Sequence, residues 1–154
     1  MTNWHYLLLH LTLGYPIYQL LGTIKHELAH AVAFKLSGFG IQEFRILPFR
    51  NNDGTFFWGC VTPEIKDGAR DNVHIYYAPY YVDFVLIVTG LLFGFCLRQH
   101  IVLSEFTALE VNGLITAVML TIVSPIVDIL YNLYKYWRWN RGDFAQAHAF
   151  SLTH

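Results

Sequence analysis

Two long stretches of the chain run almost without a polar break. Ile75–Leu97 covers 23 residues with Asp83 as its one charge, and Val111–Tyr134 covers 24 with Asp128 as its one charge. Crossing about 30 Å of hydrocarbon takes about 20 apolar residues at 1.5 Å each, so the pattern predicts spanning helices over 75–97 and 111–134. A third stretch, Trp4–Leu36, is long enough but is interrupted by Pro16 and carries Lys25, Glu27 and Lys35. Proline suits the first position of a helix, which places the first span at 16–37. Residues 1–15 then form an interfacial segment or an extension of that helix, kinked at Pro16.

The chain between the first two spans has a different pattern. Ile41–Arg50 and Thr55–Thr62 are rich in β-branched and aromatic residues, and Asn51-Asn52-Asp53-Gly54 lies between them. This predicts a β-hairpin over 41–62, with Pro48 marking an edge strand. No repeat or linker marks a second domain, and residues 135–154 read as a tail. The expected fold is mainly α and integral to a membrane: a single domain, 1–154, with a three-transmembrane-helix core and a β-hairpin between the first and second spans.

Composition supports that reading. Hydrophobic residues make up 55% and charged residues 14% of the 154, against about 45–50% and 25% in soluble domains. A net charge of -1 offers no electrostatic footprint for nucleic acid. Residues 1–10 lack a basic run, so no cleaved leader is expected. Cys60 and Cys96 show no CxxC spacing and are expected as free thiols used in packing. Lys35, Arg45, Arg50, Lys66 and Arg70 surround the hairpin, and Lys135, Arg138 and Arg141 follow the last span. The positive-inside rule therefore predicts a multi-pass protein with hairpin and C-terminus in the cytoplasm. Tyr131, Tyr134, Tyr136, Trp137 and Trp139 fit an interfacial belt at that end.

The chemistry-bearing feature is His26-Glu27-Leu28-Ala29-His30, an HExxH motif inside the first predicted span. Residues i and i+4 share a helix face, so both imidazoles can meet one zinc ion, with Glu27 placed to activate a water on it. Random placement of eight histidines and the glutamates would give about 0.01 such motifs per chain. A catalytic zinc takes a third protein ligand and keeps an open position. The metzincin extension is missing, because Ala33 and Leu36 stand where a glycine and a histidine would be. Measured from the cytoplasmic helix ends, His30 and His26 lie about 10 and 16 Å deep, Asp128 about 9 Å and Asp83 about 12 Å. Charged residues at that depth call for partners. Asp128 is expected as the third ligand, aimed inward by a bend at Pro125, and Asp83 as a residue orienting a ligand or the water. The other histidines, His5, His10, His74, His100, His148 and His154, are expected at surfaces or interfaces.

With these residues in place, the chain resembles the site-2 protease family of intramembrane zinc metalloproteases. That family has HExxH on its first core helix and a ligating Asp on its third. His26–His30 matches the first element, and Asp128 within Ser124-Pro125-Ile126-Val127-Asp128 is similar to the second. Ala78-Pro79-Tyr80-Tyr81-Val82 keeps only the proline of the family's Gly-Pro-x-x-Asn motif, and Ile129 follows Asp128 where the family usually has Gly. The resemblance covers about residues 16–134 and carries no accessory domain. It implies a zinc-dependent endopeptidase acting on membrane-spanning protein substrates, with Zn2+ held by His26, His30 and Asp128 and Glu27 as the catalytic base. The hairpin would add an edge strand for an unwound substrate or cover the site. The alternatives are a membrane subunit that binds zinc without proteolysis, and a structural helix bundle.

Overall fold

The computed structural model describes residues 4–51, 54, 56–98 and 107–153. His100, His154 and most of the connection between the second and third spans lie outside the described residues. Among the described residues there are four helices and four short strands: α1 (Trp4–Leu36), β1 (Gly40–Arg45), β2 (Phe49–Arg50), β3 (Phe56–Phe57), β4 (Cys60–Glu64), α2 (Val73–Leu97), α3 (Ala108–Trp139) and α4 (Asp143–Thr153). The protein is mainly helical, and α1, α2 and α3 are each long and apolar enough to cross a membrane.

The first helix does not begin at Pro16. It runs unbroken from Trp4, with a π-type segment at His10–Gly14 that ends two residues before the proline. Pro125 is handled the same way, with a π-type segment at Met119–Val123. A proline ring crowds the carbonyl four residues back, and local π widening accommodates it without ending the helix. In both places the residue at that position is a threonine bonded back into its own helix: Thr12 to the Leu8 carbonyl at 2.8 Å and Thr121 to the Ala117 carbonyl at 2.7 Å.

The end of α1 is a Schellman turn. Gly38 takes φ +89, Phe39 N–H bonds the Phe34 carbonyl, Gly38 N–H bonds the Lys35 carbonyl, and the rings of Phe34 and Phe39 meet edge to face at 5.7 Å. The chain leaves this turn straight into β1, which pairs antiparallel with β4 across a bulge between Ile41 and Glu43. Farther out, β2 pairs with β3, Phe49 opposite Phe57. The hairpin is thus built as two short ladders separated by a break around Pro48. Residues 52, 53 and 55, which belong to the expected turn and second strand, lie outside the described residues.

Helix α3 starts earlier than its apolar run because Thr107 and Glu110 form a reciprocal capping box. Helix α2 is central, packing against α1, α3 and α4. Close approach depends on small residues: a Cβ at Gly22 would strike Ser124 Oγ at 2.8 Å, drawing α1 to α3.

The tail differs most from expectation. Residues 135–139 continue α3, and the helix stops where Asn140 adopts the left-handed conformation (φ 49) and Gly142 follows with φ +87. This reversal sends α4 back against α2, where Phe144 stacks on Tyr80 at 4.5 Å.

Candidate metal centre

His26 and His30 sit one turn apart on the buried face of α1, their rings edge to face at 5.0 Å. Each ring is held at Nδ1 by an oxygen from another helix. His26 Nδ1 lies 2.8 Å from Asp128 Oδ2 on α3, and His30 Nδ1 lies 3.0 Å from the Ile75 carbonyl on α2. The opposite nitrogens meet at one carboxylate: His26 Nε2 is 3.0 Å from Asp143 Oδ2, and His30 Nε2 is 3.3 Å from Asp143 Oδ1. Ligand atoms of His26, His30 and Asp143 all fall within 4.8 Å of one another.

The two imidazole–carboxylate distances are of the size a shared cation needs, and the cluster by itself does not select zinc. Donors on one tetrahedral zinc, at about 2.0–2.1 Å from the metal, lie about 3.3 Å apart. Holding both Nδ1 atoms on oxygen acceptors is also how metal-binding imidazoles are oriented, leaving the Nε2 lone pairs for the ion. An imidazolium at His26 would satisfy the same two carboxylates, so metal content distinguishes the two states.

The carboxylate at the junction is Asp143, not the Asp128 anticipated from the sequence. Asp128 is placed on the other nitrogen of His26, where it accepts from Asn132 Nδ2 as well, at 3.0 Å. Asn132 in turn accepts from Lys135 Nζ at 3.3 Å, so a polar row runs down one face of α3. Asp143 also accepts from Tyr80 Oη at 2.8 Å. Burial pushes the Asp143 carboxyl up, but with both rings protonated and no ion between them the hydrogen bonds and charges of His26 and His30 outweigh it and hold the group well below the usual carboxylate range.

Asp83, expected to orient a ligand, is paired elsewhere. It is wholly buried and bonded to Lys25 of α1 through Oδ1, while Oδ2 has no hydrogen-bond partner among the described residues. The pair ties α1 to α2 one residue away from His26.

Glu27 is buried and faces the hairpin. A Cβ on Gly59 would come within 2.8 Å of Glu27 Cγ and 2.7 Å of Thr23 Cγ2, so the segment leading into β4 rests directly on the helix there. His26, Glu27, His30, Asp128 and Asp143 line one cavity of about 550 Å³, roofed by Phe56–Val61 and bordered by Trp139 and Arg141. Carboxylate, imidazoles and an open volume therefore share one space, which is what water-mediated hydrolysis at a metal requires.

Asp143 was not legible as a site residue. It is 113 residues beyond His30, outside every apolar run. The available signal was turn chemistry, since Asn140 and Gly142 both suit the left-handed backbone that reverses the chain. No protein-family model, curated protein or solved structure matches the chain.

Proposed function

We propose that this chain is an integral membrane zinc endopeptidase acting on membrane-spanning protein substrates, as its resemblance to the site-2 proteases implies. The observation that carries the proposal is the convergence of both HExxH Nε2 atoms on Asp143 with both Nδ1 atoms anchored, in a cavity shared with Glu27.

Membrane residence is supported by where the side chains lie. Lys25, His26, Glu27, His30, Asp83 and Asp128 form contacts inside the bundle or line its cavity, while α2 turns Phe84, Val85, Leu91, Leu92 and Phe95 outward. So large an apolar surface is a liability in water and is matched by lipid. The basic residues around the hairpin and after α3 favour a cytoplasmic position for both.

In this proposal His26, His30 and Asp143 hold the ion, which when bound supplies Lewis acidity at the scissile carbonyl and acidifies water. Glu27 accepts the proton of the attacking water on its carboxylate and delivers it to the departing amine. Asp128 and the Ile75 carbonyl keep the two rings from turning. The hairpin segment Phe56–Val61 shields the cavity on the side of Glu27.

Metal analysis of detergent-purified protein should find about one zinc per chain in the wild type and none in His26→Ala. An imidazole–carboxylate set also accepts other divalent ions, so the same analysis covers iron, cobalt and nickel. Glu27→Gln should keep the metal while cleavage of a membrane-spanning substrate falls by about 10²–10⁴-fold. A wild type purified under metal-replete conditions without metal would falsify the metal reading. Metal retained by a wild type that cleaves nothing would reassign the chain as a metal-binding membrane subunit.

A further inference from the structure

Pro79 is the one residue in the interior of α2 without an amide hydrogen. In an unbroken helix the N–H of residue 79 would bond the carbonyl of Ile75, four residues back. Proline cannot make that bond. Ile75 is 1% exposed, so water is no substitute, and a buried carbonyl left without a donor is costly. At Pro16 and Pro125 the helix widens into a π-type segment; α2 has none. Here the donor comes from another helix, as His30 Nδ1 lies 3.0 Å from the Ile75 carbonyl.

The consequence is a defined tautomer. A carbonyl can only accept, so Nδ1 must donate. In the neutral ring the lone pair then sits on Nε2, the atom that faces Asp143 at 3.3 Å. We propose that Pro79 is a positioning residue: by withholding an amide hydrogen from Ile75, it leaves that carbonyl to His30 and so selects the ring orientation that presents Nε2 to the ion. The benefit to metal binding rests on the function proposed above, whereas the link from Pro79 to the His30 tautomer does not.

Three proteins test this: the wild type, Pro79→Ala, and a chain carrying lactic acid at position 79. Lactic acid is the hydroxy analogue of alanine; like proline it brings no N–H, and unlike proline it brings no ring. Nitrogen-15 shifts of labelled histidines in the metal-free protein report the tautomer, assigned to His30 by comparison with His30→Gln, and zinc titration reports affinity. In the wild type, the His30 signals should show Nδ1 protonated. Pro79→Ala, which restores a competing helix amide, should mix the tautomers and weaken zinc about 10–100-fold, the usual effect of losing a residue that orients a metal-bound histidine. The lactic acid chain should return both readings towards the wild type. An unchanged tautomer in Pro79→Ala would overturn the proposal, and so would a lactic acid chain as impaired as Pro79→Ala, since the ring would then be the cause. If no form binds zinc, the metal reading fails, and the tautomer shift alone still decides the role of Pro79.

Discussion

His26 is gripped from two sides, by Asp128 at Nδ1 and Asp143 at Nε2, and the two carboxylates are not interchangeable. An oxygen that shares the ion contributes a bond to it, while one on the far nitrogen sets ring direction and basicity. Asp128→Asn should therefore weaken zinc by about 10–100-fold, and Asp143→Asn should weaken it more. Competition titration against a chelator measures both, and the reverse ranking would return the ligand role to Asp128. Gly59 is the other sensitive residue. A methyl group there meets Glu27 and Thr23 at distances real side chains do not tolerate, so Gly59→Ala should push the segment before β4 off α1. A cost of about 1–3 kcal/mol is expected from such overpacking. Cleavage should fall with zinc content intact, because the displaced segment uncovers Glu27 and leaves the histidines untouched.

At the scale of elements, the decisive one is α4, which reaches the site only because Asn140 and Gly142 turn the chain back after Trp139. A chain ended at Gly142 should keep the helicity of α1–α3 by circular dichroism and lose zinc at least as completely as Asp143→Asn. Full zinc retention in the truncated chain would exclude α4 from the centre. Much else was readable in advance at this scale. The three apolar helices follow from the length of their apolar runs, the hairpin from β-rich stretches on either side of a turn sequence, and HExxH from the geometry of one helix face. The start of α1 stayed open between a beginning at Pro16 and an extension through it, since a proline is as compatible with a helix start as with a π-type widening. The threonine four residues before Pro16, repeated before Pro125, is the sequence mark of the second solution here. Asp143 was hidden for a different reason: its partners are set by the angle of a reversal, which hydrophobic patterning does not encode.

At the scale of the whole molecule, Lys25 and Asp83 form a buried ion pair between α1 and α2. Removing one partner of such a pair strands the other charge, at a cost of about 3–5 kcal/mol, whereas replacing both with apolar residues is often neutral. Lys25→Met should accordingly lower the thermal midpoint in detergent, and Lys25→Met with Asp83→Leu should recover it. A double variant no better than the single one would show that the pair contributes something packing cannot replace. Sidedness is testable on the same scale. In sealed right-side-out vesicles, Gln42→Cys in a background without Cys60 and Cys96 should resist an impermeant maleimide until the membrane is opened. Labelling before that point would invert the proposed topology.

The order of residues was enough to establish three long apolar helices, a hairpin between the first two, and a pair of imidazoles on one helical face, because each of these is written in a local stretch of sequence. Folding was needed to choose the carboxylate that meets those imidazoles, to send Asp83 to Lys25, and to turn a helix-disrupting proline into a free carbonyl beside His30. Those outcomes depend on distances between segments far apart in the chain, which are set when the helices pack and are written in no single stretch of sequence.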